Sequence, residues 1–282
     1  MTESPVLYAV ADGIATITLN RPNYRNAQNS AMTYAIDDAL SRAVDDDEVR
    51  VIVLAGAGDH FSAGHDIGTP ERDVDVEFPR RAAMLPTHVR KEGIDQRWTR
   101  ESEVYLGMSR RWREAPKPTV AAVQGACIAG GLMLAWSCDL IVAADDAFFT
   151  DPVVKMGIPG VEFFAHPWVM GPRMAKEFLF TARRVGAEEA GRRGWVNRVV
   201  PRAELESSTR ALAAEIAEMP PFGLMLAKRA VNLAEDMMGQ RLGMDATFAL
   251  HHLGHARGAE LGLGSLGGVS TKDIAGKPSA GA

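Results

Sequence analysis

The residues best suited to chemistry in this chain sit in two glycine-punctuated turns. One is Gly56-Ala-Gly58-Asp-His-Phe61-Ser-Ala-Gly64-His65-Asp66-Ile67, and the other is Gly125-Ala-Cys-Ile-Ala-Gly130-Gly131-Leu-Met133. Glycine lets a backbone N–H approach a ligand that a side chain would keep away. The second turn reads as the end of a buried strand followed by a helix starting at Gly130-Gly131, whose N-terminus favours negative charge. Two such turns together can cradle an oxyanion. Downstream, Glu162 lies in the apolar run Val161-Glu162-Phe163-Phe164-Ala165. A carboxylate there is desolvated, which raises its pKa and suits acid/base work; a structural, ion-paired glutamate is the other reading. His166, in Ala165-His-Pro167, is a further possible proton carrier. His251 and His255 share a helix face at i, i+4, next to His252. Zinc sites use that spacing, but with a third ligand that the sequence does not reveal, so no metal is expected.

The elements that must hold these turns follow from periodicity. Val6–Val10 and Ile14–Leu19 alternate around Asp12-Gly13, a hairpin signal. Ser30 reads as the cap of a helix through about Asp45, with Met32, Ile36, Leu40 and Val44 on one face. Val51–Ala55 is a continuous apolar run, hence a strand buried on both faces, and the first glycine turn follows it. Between Gly68 and about Arg100 the pattern breaks, with Pro70, Pro79 and Pro86 in a charge-rich stretch. This is either a solvated insertion or a lid with Met84, Leu85 and Trp98 as its apolar contacts. A helix over Glu101–Glu114 and a buried strand over Thr119–Val123 lead into the second turn. Short strands and helices alternate up to a last strand, Trp195–Val200, an α/β layer pattern. Beyond Pro201 the chain is helical, over about Glu204–Ala217, Phe222–Glu235 and Gly239–Ala256, and a glycine-rich tail follows. The division is thus a core over 1–203 with the insertion 68–100, a helical region 204–258 and a flexible tail 259–282.

Composition narrows the function classes. In 282 residues, 46% are hydrophobic and 24% charged, which is ordinary for a soluble globular protein. The net charge of −5 argues against nucleic acid as the main partner. Cys127 and Cys138 stand in apolar surroundings, which suggests core packing in a reducing compartment. No apolar run reaches membrane-spanning length, and Met-Thr-Glu-Ser-Pro lacks the features of a signal peptide. A cytoplasmic protein is expected.

The two glycine turns, at this order and spacing, resemble the two signatures of the crotonase (enoyl-CoA hydratase/isomerase) superfamily. Asn20-Arg-Pro22, Arg25-Asn26-Ala27, Cys138-Asp139, Met156-Gly-Ile-Pro-Gly160 and Ala187-Glu-Glu-Ala190 add to the likeness, which spans roughly Val10 to Glu235. The resemblance implies an α/β spiral of repeated ββα units with a C-terminal helical trimerisation region, assembled as a homotrimer or dimer of trimers. It implies an acyl-CoA thioester as substrate, with no cofactor beyond the coenzyme A of the substrate itself. The thioester oxygen would take the backbone N–H groups of His65 and Gly130, and coenzyme A would lie against Arg25, Ala27 and Ala63. Lys272 and Lys277 are weaker candidates for a neighbouring coenzyme A. Asp66 is expected to be structural.

The likeness breaks where hydratases of the family carry their two glutamates. Met133 stands three residues after Gly130, and Val153 follows Pro152. Neither side chain exchanges protons, and both would line an apolar substrate pocket together with Trp98. Replacement carboxylates are then Asp151 and Glu162, the latter one residue past the slot where some isomerases and dehalogenases of the family hold an aspartate. For Asp151 a plain turn role before Pro152 is the alternative. The expectations are an enzyme acting on an unusual acyl-CoA, a hydratase with displaced carboxylates, or a non-catalytic acyl-CoA-binding protein.

Overall fold

Asp12 and Gly13 both adopt positive φ, 54° and 74°, as a two-residue loop between twisted strands requires. They join Val6–Ala11 (β1) to Ile14–Leu19 (β2) in antiparallel register. The structure is a computed structural model that describes residues 4–264 and 267–270. Lys272, Lys277 and most of the expected tail lie outside them.

After β2 come α1 (Ser30–Asp45), β3 (Val51–Gly56), α2 (Gly93–Glu101), α3 (Met108–Arg113), β4 (Thr119–Val123) and β5 (Ala126–Ile128). Then follow α4 (Gly130–Ser137), β6 (Leu140–Ala144), β7 (Phe148–Thr150), α5 (His166–Met170), α6 (Pro172–Thr181), β8 (Val185–Gly186), α7 (Ala187–Arg192) and β9 (Arg198–Val200). The chain closes with α8 (Leu205–Ala217), α9 (Pro221–Met237) and α10 (Gln240–Glu260). The main sheet has the order β1-β2-β3-β4-β6-β9, parallel from β2 onward. A second sheet, β5-β7-β8, carries the strand that feeds the second glycine turn.

The apolar run of β3 is buried on both faces, as its lack of alternation implies. Ile52 and Leu54 join the large core with Met32 and Ile36 of α1, and Val51 and Val53 join a second core with Leu205, Leu212 and Ala213 of α8. The strand ends at the first turn as expected, so the sheet sets where that turn begins.

Several boundaries differ from the sequence expectations. The cap of α1 is Asn29, whose side chain accepts the Met32 N–H at 3.0 Å, and Ser30 is the first helical residue. Asp73 closes the same helix end by accepting the Ser30 and Ala31 N–H groups at 2.7 and 2.8 Å. The helix expected from Glu101 begins at Gly93, because a π-helical stretch over Ser102–Gly107 welds α2 to α3 and shifts the face that periodicity follows.

Residues 68–92 contain no helix or strand, yet polar anchors hold them. Buried Glu103 accepts the N–H groups of Arg81, Ala82 and Ala83 at 2.6, 3.0 and 2.5 Å. Met84 is fully exposed, so it is not the apolar contact of a lid.

Candidate active site

The two glycine turns are laced together by backbone hydrogen bonds. Ser62 donates to Ala126 O and Ile128 donates to Ser62 O, both at 3.0 Å. On its other flank the first turn pairs with the segment after β2. Gln28 donates to Gly64 O at 2.8 Å, Asp66 donates to Gln28 O at 2.9 Å, and Ala63 donates to Arg25 O at 2.9 Å. The fold therefore brings Arg25, Ala27 and Ala63 to one edge of the site, with Ala27 buried and the Arg25 side chain exposed.

This lacing explains the glycines. Gly64 has φ +91°, and a Cβ on it would stand 2.7 Å from Ile128 O and 3.0 Å from Gly130 N. A Cβ on Gly131 would stand 2.5 Å from Ser62 O. Ala129 holds φ +47° just before α4, a conformation that costs a non-glycine residue about 1–3 kcal/mol and that clusters at functional sites. Among the described residues, neither the His65 nor the Gly130 N–H has an internal acceptor. Both are adjacent: a Cβ on Gly130 would lie 3.1 Å from His65 N. The pair can serve one shared oxygen.

Beside them opens a cavity of about 140 Å³, lined among others by Ala63, His65, Ile128, Ala129, Val153 and Glu162. The rest of its wall is more polar than expected, with Arg72, Arg97, Arg100, Glu101, Tyr105, His251 and His255. A larger open groove of about 790 Å³, between α1, α3 and α10, holds neither glycine turn and is not the site.

Glu162 is 2% exposed, and its carboxylate stands between two imidazoles. Oε2 is 3.7 Å from His65 Nε2 and Oε1 is 3.6 Å from His251 Nε2. Oε2 has no hydrogen-bond partner among the described residues. Burial pushes the Glu162 carboxyl up to about 8, reinforced by nearby Glu101 and only partly opposed by His251. His65 stacks on Tyr105 with ring centroids 3.5 Å apart, and burial pulls it down to about 3, which keeps it neutral. Thus the His65 side chain belongs to the cavity wall, although only its N–H drew attention in the sequence.

Other expected site residues are placed elsewhere. Asp151 is fully buried away from the cavity, where it accepts the Val161 N–H at 3.1 Å and faces His166 Nε2 at 2.9 Å. It is a structural acceptor that ties β7 to the Glu162 loop, and His166 is its buried partner. Met133 is 1% exposed and packs in the large core, because the first turn of α4 points it inward instead of at the cavity. Trp98 lies on α2 against Phe248 and His252 and lines the larger groove. Val153 alone of the expected pocket side chains lines the cavity. Asp66 also lines the cavity, with its carboxylate bound by Arg21 and by Thr69.

The sequence reading missed Glu101, Arg100 and Tyr105. Arg100 is buried, donating to Tyr105 Oη at 3.0 Å and Ser30 Oγ at 2.9 Å. Glu101 faces His251 and His252 at 3.5 and 3.4 Å. Burial would raise its pKa, but the histidines around it outweigh that and hold it at about 2. The histidine pair at i, i+4 was visible; the carboxylate that meets it comes from α2, some 150 positions away in the chain, which only the fold reveals.

The sequence profile described as "Enoyl-CoA hydratase/isomerase" matches residues 9–78 and 87–257. The chain is 42% identical to the "Putative enoyl-CoA hydratase EchA13" of Mycobacterium tuberculosis, over 91% of this chain and 82% of that protein. It is 34% identical to the "4-chlorobenzoyl coenzyme A dehalogenase-2" of Arthrobacter sp, over 74% of this chain and 71% of the other. The crystal structure of a probable enoyl-CoA hydratase from Mycobacterium smegmatis superposes with a TM-score of 0.81 at 49% identity, covering 91% of this chain and 96% of that one.

Proposed function

We propose that this chain, which belongs to the enoyl-CoA hydratase/isomerase family and has its α/β crotonase fold, moves a proton on an acyl-CoA thioester with Glu162 as the acid/base group. The thioester oxygen sits between the N–H groups of His65 and Gly130. As charge builds on that oxygen in the enolate, fixed donors stabilise it without reorganising. In its ionised form, which its raised pKa makes a stronger base, Glu162 takes the proton from the α-carbon and becomes neutral. It then returns the proton, to a different carbon in an isomerisation or to a leaving group in a lyase step.

The observation that carries this reading is the unpartnered Glu162 Oε2 in the cavity wall, on the side of the glycine turns. Of the other cavity carboxylates, Asp66 is bound by Arg21 and Thr69. Glu101 Oε2 also lacks a hydrogen bond among the described residues but faces His251 and His252 at 3.5 and 3.4 Å, whereas Glu162 Oε2 stands 3.7 Å from His65, beside the oxyanion donors. Met133 and Val153 supply no carboxylate, so hydration by the usual two glutamates is not the reaction we propose. The polar wall, with Arg72, Arg97 and Arg100, supports a short acyl group carrying oxygen over a long aliphatic one.

A second reading is a hydratase with displaced carboxylates. It is favoured by Glu101 and Glu162 both facing His251 Nε2, at 3.5 and 3.6 Å. Turnover of 2-enoyl-, 3-enoyl- and 3-hydroxyacyl-CoA thioesters by the wild type and by Glu162→Gln and Glu101→Gln separates the two. The main reading expects isomerase- or lyase-type turnover that Glu162→Gln abolishes. Fast hydration lost in both variants favours the second. Full turnover in Glu162→Gln contradicts both.

A further inference from the structure

We propose that Glu101, His251 and His255 form a three-ligand site for a divalent transition metal, zinc by its donor set, with the open position facing the cavity. Two imidazole nitrogens and one carboxylate oxygen are a ligand set of zinc sites that keep a fourth position free. The donor atoms of the three side chains all lie within 4.8 Å of one another. His251 Nε2 stands 3.1 Å from His255 Nε2 and 3.5 Å from Glu101 Oε2. A tetrahedral ion bound at about 2.0–2.1 Å holds its ligand atoms about 3.3 Å apart, close to both separations.

The orientation of His251 points the same way. Its Nδ1 lies 2.8 Å from Gly160 O and donates there, which leaves Nε2 as the atom that faces inward. A ligating histidine characteristically gives its other N–H to a backbone carbonyl or carboxylate, which fixes its orientation. That nitrogen faces Glu101 Oε2, Glu162 Oε1 at 3.6 Å, and the second imidazole. Two carboxylates and a second imidazole around this nitrogen favour a positive charge at their centre, whether the proton of a His251 imidazolium or a bound ion in its place. Glu101 Oε2 is buried without a hydrogen-bond partner among the described residues, as a ligand atom awaiting its ion would be. His252 Nε2 is 3.4 Å from Glu101 Oε2 but lies outside the set of mutually close donors. The cluster lines the same cavity as Val153 and Glu162, so an ion there is open to a small ligand.

The site rests on these side chains and not on the reaction proposed above, and its test needs no acyl-CoA. The full chain, without a histidine tag, is stripped with a chelator and titrated with Co2+ and then Zn2+. We expect about one Co2+ per chain, visible d–d absorption of a four-coordinate ion, and its loss when Zn2+ displaces it. His255→Asn, at a partly exposed position, and Glu101→Gln should each weaken binding by more than about 10-fold, the least that even outer-shell changes cost such sites. His88→Asn, a buried histidine outside the cluster, should bind as the wild type does. A wild type that takes up no stoichiometric Co2+ overturns the proposal. So does Co2+ binding that both ligand variants leave unchanged. Nitrogen NMR showing a His251 imidazolium that added Zn2+ leaves intact overturns it as well, because the proton then fills the place of the ion.

Discussion

The imidazole of His65 lies over Gly130 so closely that a Cβ on the glycine would fall 2.5 Å from His65 Cδ2 and 2.6 Å from Nε2. The residue that supplies one oxyanion donor therefore also confines the residue that supplies the other. The same ring is stacked on Tyr105, with ring centroids 3.5 Å apart, which further limits its movement.

Two substitutions at Gly130 should separate these roles. Gly130→Ala drives a methyl group into the imidazole and lowers turnover; adding His65→Ala removes the clash and recovers part of it. Gly130→Pro removes the N–H itself, and His65→Ala does not rescue it. Loss of one such donor costs roughly 2.7–4 kcal/mol, or about 100- to 1000-fold in kcat. Steady-state kinetics on folded variants checks this. A proline variant with wild-type kcat and acyl-CoA affinity would mean that Gly130 donates nothing to the thioester.

Asp66 makes the first turn acid-sensitive. Burial pushes its carboxyl up, but the Thr69 hydroxyl and N–H and the Arg21 guanidinium outweigh this and hold it below its ordinary 3.8. A carboxylate with a depressed folded pKa adds stability above its unfolded value, and that stability is lost as pH falls through the folded value. The wild type should therefore exceed Asp66→Asn in Tm at neutral pH, and the gap should close below about pH 4. Thermal melts of both proteins across that range give the answer. A gap that persists unchanged into acid would show that the Asp66 charge does not hold the turn.

Assembly follows from what the last helices leave uncovered. Leu205, Leu212 and Phe248 are buried in the chain's own cores, but Leu226, Val231, Leu242 and Leu253 are 48%, 61%, 74% and 65% exposed. No residue of α9 is buried. Large apolar side chains left exposed along neighbouring helices are what an interaction face supplies. We expect a trimer or a dimer of trimers by light scattering at micromolar concentration, and dissociation when Val231 and Leu242 are both changed to Glu. A monomeric wild type contradicts this.

Much of this site could be read from residue types alone, and the limits have physical causes. The hairpin at Asp12-Gly13, the doubly buried β3 and the helix opening at Gly130 follow from local pattern, because turn chemistry and burial leave direct marks on composition. Glu162 stood out because a carboxylate inside an apolar run must be paid for by some partner or some use. The direction of a side chain did not show. Met133 and Val153 both follow a turn and both pack in the core, yet only Val153 also reaches the cavity, because Met133 lies on α4 and Val153 in the short helical turn Pro152–Met156. Nor did the polar wall show, since Arg100, Glu101 and Tyr105 reach the cavity through the π-helical join of α2 and α3, which breaks the period that sequence reading relies on. Asp151 looked like Glu162 in sequence, but its oxygens are taken by the Val161 N–H and His166.

The central claim is that Glu162 moves a proton at the carbon next to a thioester held by His65 and Gly130. Incubating a 3-enoyl-CoA in D2O and following deuterium at its α-carbon by mass spectrometry tests it most directly. Wild type should exchange that position, whether or not it releases an isomerised product, and Glu162→Gln should not, while both bind the thioester with similar affinity. Deuterium entering at the wild-type rate in Glu162→Gln would contradict the account, because the proton would then be moved by another group.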